Sequence, residues 1–307
     1  MLIFISIAST ASAEPLPRVA HAGGHLLGRV YTNSLEALDH SANLGFKLFE
    51  LDLSFTSDNN LVCLHGWEYG AQRSLGYKIA TAPSMAEFEV LTKYSPISTP
   101  CTLDSLIEWL NRRKDVRIIT DVKDPSRNLE ALKLIATKVD NFSQKIIPQA
   151  YNPKEINSLK GIGYKDIIFT LYRFSGTDDK VIETVRTNED LFATTVAESR
   201  INQRLIDFFV SEKFPFYIHT LNQAKSFEHL FGYDFFNIYT DYLGPEGFVS
   251  TYKQDIKTSG SHFNLDDKKA VIKNICSTTT PRCFDIEFSI HSMNPIQLHA
   301  TEITERD

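Results

Sequence analysis

The 307-residue chain is 42% hydrophobic and 23% charged, a mixture that excludes a disordered or fibrous protein and suffices for one or two domains with real cores. Its 32 lysines and arginines against 38 aspartates and glutamates leave a net charge of −6 with no long charged run. That balance argues against electrostatic capture of nucleic acid or of an anionic membrane as the main function, and an anionic substrate then needs a local device such as a metal ion.

Residues 1–13 carry no charge, open on Leu2-Ile3-Phe4-Ile5 and end in Ala11-Ser12-Ala13, an A-x-A cleavage pattern ahead of Glu14-Pro15. They are expected to form a secretory signal removed on export to the periplasm or extracellular space, one that lacks the usual basic leading region. No later run approaches the roughly 18–20 apolar residues of a membrane span. Eight short apolar, β-branched runs follow, at 18–21, 48–54, 117–122, 145–150, 166–171, 191–196, 216–220 and 236–240. Helical spacing lies between them, with starts at Asn33-Ser34, at Thr102 ahead of Leu103, Leu106, Ile107 and Leu110, and at Asn128 ahead of Leu129, Leu132 and Ile135. This alternation predicts an α/β chain folded as a (β/α)8 TIM barrel. An open doubly wound sheet shares the alternation, but the Gly-rich phosphate loop that fold often carries after its first strand is missing. The barrel is expected over 14–245, with 66–101 inserted after the second strand as a cap and 246–307 as a C-terminal extension of unassigned structure. Of the four cysteines, Cys276 and Cys283 are close enough to staple a small loop. Cys63 and Cys101 flank the insertion and either pair or stay as buried thiols.

In the second strand, Phe49-Glu50-Leu51-Asp52-Leu53-Ser54 alternates, so Glu50 and Asp52 project from one face. Two acids side by side repel unless a cation joins them, and at the end of a barrel strand that cation is usually a hard divalent ion, Mg²⁺ or Ca²⁺. A solvated polar edge is the alternative for this strand taken alone. The chain then turns at Ser57-Asp58-Asn59-Asn60 and returns to His65. The first strand ends in His21 before Ala22-Gly23-Gly24, and the third in Asp121-Val122-Lys123, a carboxylate for the metal and an ammonium for an anion. Each of these residues singly fits a structural role. Together they fall at the C-terminal ends of the first three barrel units, where such barrels carry their active sites.

The run Ala20-His21-Ala22-Gly23-Gly24, then Asn33-Ser34-Leu35-Glu36-Ala37, Gly45, Phe49-Glu50-Leu51-Asp52-Leu53, Thr56-Ser57-Asp58 and 61–65 resembles the opening signature of the glycerophosphodiester phosphodiesterase family. Thr99-Pro100-Cys101-Thr102-Leu103, Asp121-Val122-Lys123, His219-Thr220-Leu221-Asn222 and Tyr239-Thr240-Asp241-Tyr242 continue the likeness in order, so it covers residues 18 to 245. The resemblance implies a TIM barrel, a divalent cation and metal-dependent hydrolysis of a glycerophosphodiester to an alcohol and glycerol phosphate. It implies Glu50, Asp52 and Asp121 as metal ligands, His21 and His65 as the acid/base pair, and Lys123 and Asn33 as substrate-binding residues. The implied partner is a small phosphodiester, with transient lipid contact and no nucleic acid.

The chain departs from the family pattern at Ala22, where an arginine is common, at Thr32 in place of glutamate, at Gly66 in place of aspartate, and at Asp121 in place of glutamate. Loss of the arginine removes a bidentate phosphate clamp. His25 and Arg29 either serve a reshaped pocket or belong to a surface loop, and Trp67, Tyr69, Tyr77, Phe88 and Tyr94 of the insertion either contact substrate or pack the cap. Two other functions keep the same residues: a phospholipase D-like or cyclising lyase acting on intact lipid or wall polymer, and a catalytically silent binding barrel.

Overall fold

Parallel strands covered on both faces are largely apolar in both directions, and the predicted runs meet that condition except at positions such as Glu50, Asp52, Asp121 and Gln149. In a computed structural model, which describes residues 15–223, 225–247 and 251 and the strand segments 261–264, 269–276, 283–290 and 298–306, they become strands. These are β1 (Val19–Ala20), β2 (Leu48–Phe55), the short β3 (Leu61–Cys63), β4 (Arg117–Val122), β5 (Ile146–Ala150), β6 (Ile168–Thr170), β7 (Ala193–Ala197), β8 (Phe216–His219) and β9 (Phe236–Thr240). All but β3 pair in parallel in the order β1-β2-β4-β5-β6-β7-β8-β9, and Val19, opposite both Leu48 and Tyr239, closes the ring. The result is the (β/α)8 barrel that the alternation predicts. The expected signal at 1–13 lies outside the described residues.

The helices are α1 (Leu35–Asn43), α2 (Ala71–Leu75), α3 (Met85–Lys93), α4 (Leu103–Arg112), α5 (Asn128–Lys138), α6 (Phe142–Lys145), α7 (Pro153–Ile162), α8 (Asp178–Arg186) and α9 (Gln203–Glu212). Predicted starts coincide with real caps: the Ser34 side chain accepts from Ala37 N–H and that of Thr102 from Ser105 N–H. Between β8 and β9 the described residues include a 3₁₀ turn, Lys225–Leu230.

Alternation along each strand divides the barrel into two cores. Phe49, Leu51 and Leu53 face outward and pack in one cluster with Leu106 and Trp109 of α4, each contributing about 1.5–3 kcal/mol by leaving water. Val19, Leu48, Ile119, Ile147, Ile168, Tyr217 and Tyr239 cluster separately and fill the barrel interior. Residues two further along each strand point into the same interior, one layer nearer the C-terminal rim. Those residues include His21, Glu50, Asp121, Gln149, His219 and Asp241.

β3 runs antiparallel to β2, with Leu53 opposite Cys63, and delivers the chain into the insertion. A π-helical turn, Gly66–Gly70, precedes α2 and α3, and Phe88 joins Val62, Leu64, Ala71 and Leu75 in a small core. Trp67 and Tyr77 pack against that core, whereas Tyr69 and Tyr94 are 72% and 67% exposed. Cys63 and Cys101 form a disulfide that ties the two ends of the insertion together, which decides between the two readings of these thiols. For the C-terminal extension, the segments Ser261–Asn264 (β10), Lys269–Cys276 (β11), Cys283–Ile290 (β12) and Leu298–Arg306 (β13) form an antiparallel sheet in that order. Cys276 is in register with Cys283. Among the described residues no helix is long and apolar enough to cross a membrane.

Candidate functional site

The site starts at the turn after β1. His21 begins a 3₁₀ turn, and Ala22, at φ 49°, directs its N–H to Glu50 Oε2 at 2.9 Å. Gly24 follows at φ +92°, where a Cβ would meet the Ser41 hydroxyl at 2.2 Å, so only glycine lets this turn close onto α1. Ser41 Oγ donates to Gly23 O at 2.8 Å from the other side.

Three carboxylates converge above the interior core. One ligand oxygen each from Glu50, Asp52 and Asp121 lies within 4.8 Å of the others, and all three residues are buried. Burial, and then the charge of Asp52, pushes the Glu50 carboxyl up to about 8, so the cluster is short of positive charge. Burial pushes Asp121 up as well, but the charges of Lys123 and Arg173 and a hydroxyl bond from Tyr151 hold it below the usual carboxylate range. Three hard oxygen donors in a buried cluster of excess negative charge fit a divalent cation of the Mg²⁺ or Ca²⁺ type.

Each acid has its own support. Asn33 Nδ2 donates to Asp52 Oδ2 at 2.8 Å, and Asn33 Oδ1 accepts from Asp52 N–H at 2.9 Å, so both polar atoms of the amide contact Asp52. Lys123 Nζ lies 2.7 Å from Asp52 Oδ1 and 2.9 Å from Asp121 Oδ2. Both acids therefore hold its ammonium charged, against the lowering effect of burial. The hydroxyls of Tyr151 and Tyr172 donate to Asp121, the latter at 2.8 Å. Arg173 covers both rings, 4.5 and 4.9 Å from their centroids, while donating to Val122 O at 2.8 Å.

His21 Nδ1 is 2.8 Å from Asp241 Oδ1, and its Nε2 is 3.8 Å from Glu50 Oε2. Burial lowers its pKa, but the Asp241 bond and the charges of Glu50, Asp241 and Asp52 outweigh burial and raise it to about 9. Asn222 Nδ2 donates to Asp241 Oδ2 at 2.7 Å, and Asn222 Oδ1 accepts from Asp241 N–H at 2.8 Å, so the acid is clamped as firmly as Asp52. His65 is half-buried, and desolvation lowers its pKa. Between the two imidazoles stands Tyr31, whose ring is 4.7 Å from that of His21 and 5.2 Å from that of His65, near perpendicular to both. Burial and then the charges of Asp241, Asp52 and Glu50 raise its hydroxyl to about 12.

The structure thus brings together six of the seven site residues expected from the sequence in one hydrogen-bonded or ionic network, and joins His65 to it through the Tyr31 ring. Asp241, Tyr31, Tyr151, Tyr172, Asn222 and His219 are additions. Burial, and then the charge of His21, lowers His219 to about 4, and its Nε2 is buried without a hydrogen-bond partner among the described residues. It borders a chamber of about 30 Å³ shared with Glu50, Asp121, Gln149 and Tyr172, the size of one water molecule. A larger groove of about 430 Å³ opens beside Lys123, lined also by Gly66, Trp67, Ser57, Asp124 and Arg127. The signal that reaches two of the additions, His219 and Asp241, is register. Counting two residues on from Ile147, Tyr217 and Tyr239 arrives at Gln149, His219 and Asp241.

Ala22 and Thr32, two of the departures, are neighbours: Asn33 N–H donates to Ala22 O at 3.2 Å, and both residues are fully buried. Loss of an arginine and a glutamate at adjacent positions leaves the local charge unchanged. His25 is also buried, with Nε2 2.9 Å from Thr251 Oγ1, so it braces the loop that carries it. Arg29 is exposed on that loop, and its backbone pairs with Leu26.

Residues 22–244 match the model of the glycerophosphoryl diester phosphodiesterase family. Among solved structures, a glycerophosphodiester phosphodiesterase from Parabacteroides distasonis superposes with a TM-score of 0.57 at 17% identity, over 75% of this chain and 94% of that one. The enzyme of the same name from Thermotoga maritima gives 0.56 at 18% identity, over 73% and 93%. An Oleispira antarctica phosphodiesterase in complex with the product sn-glycerol-3-phosphate gives 0.57 at 14% identity, over 74% and 93%. At these identities the superpositions show the fold. No curated protein matches the chain.

Proposed function

The chain belongs to the glycerophosphoryl diester phosphodiesterase family, a family of phosphoric diester hydrolases, and from that premise we propose how its residues cleave a glycerophosphodiester into an alcohol and glycerol phosphate. The observation that carries the reading is the position of His21, between the carboxylate cluster and Asp241. Glu50, Asp52 and Asp121 would hold Mg²⁺ or Ca²⁺, and the ion would supply positive charge to the phosphate oxygens. Lys123 adds a fixed positive charge beside the same oxygens. Asn33 positions Asp52 through Nδ2 and Oδ1, and the second hydrogen on Nδ2 is the donor with which it contacts substrate.

His21 is charged at neutral pH and held by Asp241 through Nδ1, which leaves Nε2–H to protonate the departing alkoxide. His65 is neutral under the same conditions and accepts the proton of the attacking hydroxyl, either water or the neighbouring glycerol hydroxyl. The product bound to the Oleispira antarctica phosphodiesterase supports glycerol phosphate as one product here.

The test is phosphorus NMR of a set of glycerophosphodiesters incubated with enzyme and Mg²⁺ or Ca²⁺. Release of a monoester that is lost in both His21→Ala and His65→Ala is the expected result. Turnover by either variant at the parent rate would overturn the assignment, and an accumulating cyclic phosphate would identify a lyase. The Cys63–Cys101 disulfide supports an oxidising compartment. With the leader-like residues 1–13 it favours export, checked by N-terminal sequencing for a mature chain that begins at Glu14.

A further inference from the structure

Arg73 lies on α2 of the insertion, and its guanidinium stands 5.0 Å from the centroid of the Tyr31 ring. That ring meets the imidazoles of both His21 and His65. The guanidinium is therefore one aromatic ring removed from the two groups that handle protons, on the solvent side. Its carrier is pinned: Ser74 Oγ donates to Tyr31 O at 2.9 Å, and Ser98 Oγ donates to Ser74 O at 2.8 Å. Arg113, Arg117, Arg127, Arg186 and Arg204 each pair with a carboxylate, whereas among the described residues no carboxylate pairs with Arg73. An exposed guanidinium held over an aromatic ring at the edge of a phosphate site, without an acid to neutralise it, is suited to bidentate capture of an oxyanion.

We propose that Arg73 selects substrates bearing a second oxyanion, one alcohol unit away from the diester that is cleaved. The scissile phosphate belongs to the carboxylate cluster and Lys123, and the Tyr31 ring keeps Arg73 too far out to share it. A diester with a second phosphate or carboxylate on one arm spans that gap, whereas a diester with a neutral or cationic arm does not. This inference rests on the proposed hydrolysis and adds a preference among its substrates.

The experiment compares two substrates with the same diester that differ only in the second anion, glycerophosphoglycerol and glycerophosphoglycerol bearing a terminal phosphate monoester, by kcat/KM for the shared diester bond. The parent enzyme is expected to favour the second by about five- to tenfold, carried mainly by KM, as one charge-assisted contact at a partly exposed site supplies. Raised salt should shrink the ratio, since the contact is exposed. Arg73→Ala should bring the ratio to about one, and Arg73→Lys should restore part of it, because lysine keeps the charge but not the fork. A parent ratio of one or below overturns the proposal, as does an Arg73→Ala ratio equal to the parent's, whatever the loss on either substrate. If the parent cleaves neither diester nor any other, it is the hydrolytic reading that fails.

Discussion

Asp241→Asn removes the charge behind His21 while leaving an oxygen that can still accept from Nδ1, now 2.8 Å away. The His21 side chain is only 11% exposed, yet its pKa stands at about 9. Lifting it there from its ordinary 6.5 corresponds to roughly 3 kcal/mol net in favour of the charged form, what Asp241, Glu50 and Asp52 contribute less the cost of burial. In the cation-loaded enzyme Glu50 and Asp52 are engaged elsewhere, and Asp241 becomes the main partner. The substitution should therefore move the alkaline limb of the kcat/KM profile down by about one to two pH units, ~1.4–2.7 kcal/mol. The acidic limb, set by His65, should stay. Asn222 Nδ2 donates to the other Asp241 oxygen at 2.7 Å, so the new amide also opposes one donor to another and lowers the maximum. The limb's position, read by phosphorus NMR or a coupled glycerol phosphate assay across the pH range, is thus the decisive quantity. An alkaline limb unmoved in Asp241→Asn would refute the reasoning, even if the rate fell at every pH.

Cation binding should relieve the buried carboxylate cluster and raise the melting temperature; at one hundred times Kd the gain is about 2.7 kcal/mol. Glu50→Gln should lose most of that rise in thermal-shift titrations, and an unchanged rise would place the ion elsewhere. In metal-free protein, Glu50 at about 8 and His21 at about 9 hold protons that the unfolded chain, near 4.5 and 6.5, gives up. Stability from both is therefore present at low pH and lost as pH rises to about 9, so the metal-free melting temperature should fall over that window, less steeply once cation is added. Flat melting temperatures from pH 6 to about 9 would contradict this. Cys101→Ser opens the loop closed across 38 residues and should cost up to roughly 4 kcal/mol. Urea unfolding of oxidised parent and variant at the same midpoint would show that the insertion holds without its tie.

By itself the sequence determined the elements and most of the chemistry. Period-2 alternation put Glu50 and Asp52 on one face, the caps at Ser34 and Thr102 marked helix starts, and strand ends located His21, Asp121 and Lys123, because these signals are local in the chain. Asn33 was legible as a site residue, but its service to Asp52 was not, since the bond crosses from the loop before α1 to β2. Only the closed barrel decided which residues from distant strands meet. β9 lies beside β1 when the ring closes, which sets Asp241 against His21 across 220 positions of sequence. The same closure aims His219, Tyr151 and Tyr172 at the cluster from β8 and from the ends of β5 and β6. Arg73 and Tyr31 meet because the disulfide and the serine bonds fold the insertion back over the rim. Hydrophobic periodicity records which face a residue shows; closure of the ring determines what stands opposite that face.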